Sequence, residues 1–462
     1  LLNLIFYSRA CFSNYDLGIY AQAIYRMNLH DLNPYMTVRG LKLFNDHVNP
    51  IMILVSFLRL DPDPARWLIL TEVLSFLLTI GVLWKLAQKK IIDPTWAVVL
   101  IFFIVFGKGS VRALTFPAHP GTWATLPLCL LGIGLSLSKE NSKEKPFKNH
   151  LIFFSLLSLF LFKEEFPLAA IFLSTFLIFT KETRKVGVTS FFISLGLCIF
   201  IFKLRPLYFG KTQTYADFNF AAILLATPDL LVDFFTKDKT QLRRILEMFL
   251  PIAPFFFFSK KEKNTRQFNW AIFIFLIPFL GIRFVTGSWF PHRSLLISTL
   301  LPFLWIVPDR APTSSEMKKV FFSIGILLLL NLGAFSRLSE AFFRDNPECS
   351  GSSDRLEGIS EVRDYLLKHE EGSVLAQANL VPNLVRRREL FQLGNQHVHP
   401  EVGAHDYLLL EKLPSGNPWP LDFETIQKFL NESRNAPNTQ VIFENKFLVL
   451  FKGQFSDWTR PK

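Results

Sequence analysis

Cysteine is scarce in this sequence: Cys11, Cys129, Cys198 and Cys349 are widely spaced, and two of them lie inside apolar runs. That spacing supplies neither a disulfide framework nor a set of zinc ligands. Also missing are a Walker loop, a dinucleotide fingerprint after a strand, a Gly-x-Ser-x-Gly elbow, a His-Glu-x-x-His helix and a Cys-x-x-Cys pair. These absences argue against soluble nucleotide chemistry. No internal repeat of the kind that marks many transporters is visible. An initiator Met is lacking too. The opening Leu1-Leu2-Asn3-Leu4-Ile5-Phe6 reads as the end of a first transmembrane helix whose beginning is missing, and no signal peptide can be diagnosed from it.

What is abundant is apolar surface. Half of the 462 residues are hydrophobic, and phenylalanine alone occurs 51 times. A soluble protein could not bury that much, so lipid is the natural solvent. Apolar segments of roughly 14 to 20 residues recur over the first three quarters with charged spacers between them, as in a helical membrane bundle. After the truncated first helix, hydropathy places spans at 65–86, 94–107, 121–137, 150–162, 166–180, 188–204, 244–258, 268–286, 293–307 and 319–335. The expected fold class is mainly α, a polytopic bundle of about 11 spans, with a small C-terminal α/β domain. Short spans such as 95–107 and 151–162 must tilt, break or re-enter.

Net charge is +12, yet much of the excess sits in short loops, which fits a cytoplasmic membrane face better than nucleic acid. Every second connection is basic: Lys85 with Lys89 and Lys90, Lys139 to Lys148, Lys181 to Lys185, Lys260 to Arg266, and Arg310 to Lys319. The positive-inside rule then puts the 12–64 loop, Lys108 to Pro120, Lys163 to Phe166, the 205–243 loop, Gly287 to His292 and the C-terminal region outside an inner, multi-pass membrane placement. Residues 1–336 form the expected membrane domain and 337–462 a soluble extracytoplasmic domain. In the latter, Arg355 to His369 and Asp422 to Ser433 read as helices. Ser373 to Gln377, Glu389 to Leu393 and Asp406 to Leu410 read as strands, and Val441 to Phe443 with Phe447 to Phe451 as a hairpin.

Several polar clusters fall on the outer side. Asp16 follows a membrane helix, where a carboxylate can take a proton from a hydroxyl or hold a divalent cation against a phosphate; equally, it suits the N-cap of a helix from Leu17 to Tyr25. Asp46 and His47 fit a metal or general-base site, with ordinary interfacial contacts as the plainer explanation. His119, before Pro120, is either a turn residue or a substrate contact. Lys163, Glu164 and Glu165 sit between two apolar runs, so their charges must reach a polar cavity or the interface. Arg205, Arg283, His292 and Arg293 are candidates for a phosphate clamp, although each can simply snorkel.

Tyr15-Asp16-Leu17-Gly18-Ile19-Tyr20-Ala21-Gln22, Asn45-Asp46-His47-Val48-Asn49-Pro50-Ile51, the His119-Pro120 turn and Lys163-Glu164-Glu165, with a fainter echo from Ala376-Gln377 to Arg386, carry a resemblance over most of the chain. The sequence resembles the membrane-protein family catalogued as domain of unknown function 2079. It differs from that family's commoner pattern at Ala21 and in the order Phe116-Pro117-Ala118-His119. The family in turn looks like C-type (GT-C) membrane glycosyltransferases. That resemblance implies a lipid-phosphate-linked sugar donor, an essential acid in the first outer loop and, here, Asp16 as the base. It further implies Asp46 and His47 as catalytic partners, with Asp16, Asp46 and His47 as ligands if a divalent cation (Mg or Mn) takes part. His119, Lys163, Glu164, Glu165, Arg205, His292 and Arg293 would contact substrate. Expected partners are the bilayer, a polyprenyl-phosphate sugar and a glycan, lipid or protein acceptor, without nucleic acid. The competing readings are a transporter or flippase for a lipid-linked substrate and a noncatalytic envelope assembly protein.

Overall fold

The structure is a computed structural model that describes residues 4, 7, 15–107, 109–111, 119–137, 145–209, 243, 246–247, 249–257, 269–286, 291–306, 308–343, 353–394, 405–412 and 421–455. The chain is mainly helical with a small sheet region, and it separates into two compact units. One comprises Leu1–Leu43, Met52–Thr71 and Ser336–Lys462; the other comprises Phe44–Ile51 and Glu72–Phe335.

In the second unit, apolar runs become helices whose ends follow local chemistry. Asp93 accepts from the Thr95 amide at 2.8 Å and Pro94 takes the first helical position, which together start helix Pro94–Phe106. Among the described residues, two helices are long and apolar enough to cross a membrane, Pro64–Gln88 and Arg184–Phe209. Pro94–Phe106, Glu165–Ile178, Trp270–Leu280 and Leu295–Leu304 are shorter apolar helices. Segment 188–204, expected to end as a span, instead continues through a π-turn at Phe200–Leu204 into Arg205–Phe209. Helix Glu165–Ile178 packs on both Arg184–Ile199 and Trp270–Thr286. Phe166 meets Phe279 edge-on there, with ring centroids 5.7 Å apart. Gly132 lets Phe303 close in, since a Cβ would lie 2.5 Å from that ring.

Side-chain amides tie helices together where apolar contact alone gives little specificity in lipid. Asn331 donates to the Phe106 carbonyl at 2.7 Å and to its own helix at the Leu327 carbonyl. Asn269 donates to the Leu135 carbonyl and to Ser136 Oγ, both at 3.1 Å.

The first unit contains helix Tyr15–Arg26, a hairpin of β1 (Tyr35–Met36) and β2 (Leu41–Lys42), and a five-stranded sheet. Its strands are β3 (Val374–Ala376), β4 (Leu390–Gln392), β5 (His405–Glu411), β6 (Gln440–Glu444) and β7 (Leu448–Phe455), in the order β4-β3-β5-β7-β6. β3 is parallel to β4 and β5, while β7 is antiparallel to β5 and β6. Alternating residues such as Leu408 and Leu410, or Val449 and Phe451, share a core with Ile426, Phe429 and Leu430 of helix Phe423–Asn435. Those three helix residues recur at the spacing of one helical face. Arg387 closes the end of helix Ser353–Lys368 by donating to the carbonyls of Leu366, His369, Glu371 and Gly372 at 2.5–2.7 Å.

Helix Tyr15–Arg26 belongs to this same unit. A Cβ on Gly18 would lie 2.7 Å from Val381 Cγ1, so glycine permits a close approach to the segment after β3. Buried Gln22 donates to Thr37 Oγ1 at 2.9 Å and accepts from the Val38 amide at 3.1 Å, and Thr37 Oγ1 donates to the Leu390 carbonyl at 2.5 Å. Much of the first sequence motif therefore serves packing.

Candidate functional site

The polar centre of the second unit begins with the short stretch after helix Leu43–Asp46. His47 Nδ1 lies 2.7 Å from Glu164 Oε1, and the Val48 amide donates to Glu164 Oε2 at 3.2 Å. The Ile51 amide donates to the Leu161 carbonyl at 2.8 Å, so backbone 48–51 runs beside 161–164. Asn45 Nδ2 donates to the Phe209 carbonyl at 2.5 Å, bringing the end of helix Arg184–Phe209 to the same place.

Glu164 is buried, with its side chain 1% exposed, whereas His47 keeps 19%. Burial alone would raise the Glu164 pKa, but the facing imidazole, its hydrogen bond and Lys163 hold it below the ordinary carboxylate value. For His47, burial lowers the pKa, yet the Glu164 and Asp46 charges and the hydrogen bond outweigh it and leave the pKa raised. Both directions favour an imidazolium–carboxylate pair. Because Nδ1 is engaged by Glu164, the Nε2 edge is the one left to meet a bound group.

Around this pair stand further charges. Lys163 Nζ pairs with Glu165 Oε1 at 3.0 Å, and both side chains are largely buried. The His119-Pro120-Gly121 turn lies beside that lysine, since a Cβ on Gly121 would be 3.8 Å from Lys163 Cδ. His119 itself occupies the N-cap position of the 3-10 turn Pro120–Ala124. Asp46 is 4% exposed and Arg205 2%. The Arg205 guanidinium interacts electrostatically with Glu164 and Asp46. The π-turn immediately before it matters here, because the added residue per turn changes which side chains face inward. Lys203 and Leu204 point outward while Arg205 is buried.

Six of the eleven residues singled out in the sequence, Asp46, His47, Lys163, Glu164, Glu165 and Arg205, thus gather in one buried polar cluster, with the His119 turn at its edge. Asp16 belongs to the other unit, where it lies in the first turn of helix Tyr15–Arg26, one residue inside the helix and not ahead of it. A carboxylate there is favourable to the helix dipole. His292 and Arg293 fall in helix Pro291–Leu300 and Arg283 in Trp270–Thr286, but their side chains lie outside the described residues. So do Phe116, Pro117 and Ala118. Among the described residues, no group of three or more His, Cys, Asp or Glu is arranged to hold a metal ion. Glu164 engages His47 Nδ1, and the described residues assemble no donor set for the Mg or Mn that the resemblance implies.

Sequence reasoning passed over Glu72. It lies within helix Pro64–Gln88, is wholly buried, and accepts from Thr122 Oγ1 at 2.6 Å. The Thr122 amide in turn donates to the His119 carbonyl at 2.8 Å. An acid inside an apolar run was the available signal.

The family model described as "Predicted membrane protein (DUF2079)" matches residues 10–444. No curated protein matches the chain.

Proposed function

This chain belongs to the DUF2079 family of predicted membrane proteins, and we propose that it is a membrane glycosyltransferase. It moves a sugar from a polyprenyl-phosphate donor to a glycan, lipid or protein acceptor outside the inner membrane. In this reading the remaining apolar segments complete a bundle of about 11 spans, and the C-terminal sheet region is extracytoplasmic. The observation that carries the proposal is the His47–Glu164 pair, buried among Asp46, Arg205 and the Lys163–Glu165 pair. Buried charges are costly, and this much charge gathered in one place suits a site that handles an ionic substrate and moves a proton.

In the proposed reaction the resting imidazolium of His47 first releases its Nε2 proton to water; the acceptor hydroxyl then gives its proton to Nε2 while its oxygen attacks the anomeric carbon. The bond from that carbon to the donor's phosphate oxygen breaks, and polyprenyl phosphate leaves with the electron pair. Arg205 and Lys163 stabilise the negative charge that the leaving group gathers. Glu164 holds the imidazole by Nδ1 and supports the imidazolium that forms. His47 takes the place of Asp16 as the proposed base because Glu164 holds its Nδ1, which leaves Nε2 to receive the proton. No step runs through a metal.

A second reading, passage of a lipid-linked substrate across the bilayer, is favoured by the Glu72–Thr122 contact inside a candidate span. The deciding experiment presents polyprenyl-phosphate sugars to the full chain in lipid vesicles and follows both release of polyprenyl phosphate and leaflet exchange. Release supports transfer. Exchange without release supports passage.

A further inference from the structure

We propose that residues 52–60 form an interfacial anchor, with Leu54, Phe57, Leu58 and Leu60 seated in the acyl boundary of the bilayer and the Arg59 guanidinium taking a lipid phosphate. Sequence Ile51-Met52-Ile53-Leu54-Val55-Ser56-Phe57 is apolar around its helix except at Ser56. Such a helix must be covered all round. Its inner face is accounted for: Met52 and Val55 are buried, Trp67 Nε1 donates to the Val55 carbonyl at 2.8 Å, and Ser56 Oγ donates to the Ile24 carbonyl at 3.2 Å.

The described residues leave the opposite face uncovered. Leu54 and Phe57 are about half exposed, Leu58 is 65% exposed and Leu60 85%. Leu54, Phe57 and Leu58 follow the three-and-four spacing of a single helical stripe. Two further observations identify lipid as the cover. Immediately afterwards Asp63 accepts from the Ala65 and Arg66 amides at 3.0 and 3.2 Å, starting the candidate span Pro64–Gln88, so the stripe lies at the depth where the chain enters the membrane. Arg59, between the exposed Leu58 and Leu60, makes no side-chain hydrogen bond among the described residues, so no protein acceptor there satisfies its guanidinium. A guanidinium flanked by exposed leucines matches a phosphate at the headgroup level above acyl chains.

The inference rests on the membrane placement given above and not on the transfer reaction, so loss of the reaction leaves it standing. Its test uses the full chain with the native cysteines replaced by serine, an environment-sensitive label on Leu60→Cys, and nanodiscs of phosphatidylcholine with phosphatidylglycerol. Leu58→Cys serves as a second site should the first variant fold poorly, and exposed Lys42→Cys is the reference. The expected result is strong quenching by lipid carrying a doxyl group high on the acyl chain and little by iodide, the reverse of Lys42→Cys. Adding Arg59→Glu should weaken the lipid quenching about two-fold or more. Iodide quenching without lipid quenching would mean a water-facing stripe, and protection from both quenchers would mean that a second copy or another protein covers it; either result overturns the proposal.

Discussion

Replacing Glu164 by Gln removes one charge from the centre of the cluster while keeping its shape. The carboxylate accepts from the Val48 amide at 3.2 Å and pairs with His47 Nδ1 at 2.7 Å. The amide oxygen can keep one of these contacts, but without the charge. Breaking one side of a buried ion pair costs about 3–5 kcal/mol, and a charge-assisted hydrogen bond contributes about 1.5–3. His47 retains 19% exposure, so water can compensate in part; the lower range applies, about 2–3 kcal/mol for Glu164→Gln. A double-mutant cycle with His47→Gln, measured by equilibrium unfolding in mixed micelles, should give a coupling energy of roughly 2 kcal/mol. A coupling below about 0.5 kcal/mol would refute the reasoning, because residues in real contact do not add so closely.

The same pair fixes a pH signature. The His47 pKa is raised above its ordinary 6.5, so its contribution to stability is fully present below that pH and is lost as pH rises through the raised value. The Glu164 pKa is held below 4.5, so its contribution is present above that pH and is lost only as pH falls through the depressed value. The pair therefore stabilises fully between these limits. Stability of the wild type should decline on the alkaline side of 6.5 by an amount that His47→Gln abolishes.

Further outcomes follow from single contacts. Gly18→Ala drives a methyl into Val381 and should destabilise by about 1–3 kcal/mol, with Val381→Ala restoring much of the loss in the same unfolding assay. Arg387→Lys keeps the charge but not the fork that serves four carbonyls; a loss of about 2 kcal/mol or more is expected, with faster amide exchange at the end of helix Ser353–Lys368. Thr122→Val deprives Glu72 of a donor within a buried pair, costing about 1–3 kcal/mol by thermal unfolding, whereas Thr122→Ser should be nearly silent.

The C-terminal region was legible because its signals are local. Short apolar runs became β3, β5 and β7, and the helix expected from Asp422 runs Phe423–Asn435, with Asp422 accepting from the Thr425 amide at 2.7 Å. The ends of apolar helices were harder. Arg205 and Pro206 read as the start of a loop after a span, yet a π-turn at Phe200–Leu204 carries the helix through them and Arg205 is buried. The meeting of His47 with Glu164 spans 117 positions and has no periodic trace in the sequence. Each was visible only as a polar residue in an expensive place. Glu72 was concealed for a related reason: one acid barely changes the hydropathy of a long apolar helix. Asp16 illustrates the converse, since the motif around it is explained largely by Gly18 against Val381 and by Gln22 beside Thr37 and Val38.

The most direct test of the central claim compares wild type with His47→Gln and Arg205→Gln in nanodiscs, measuring polyprenyl-phosphate release and donor binding on the same samples. The account predicts release by the wild type, a loss of about 100-fold or more in His47→Gln with donor binding retained, and weakened donor binding in Arg205→Gln. Release that continues unchanged in both folded variants would contradict it.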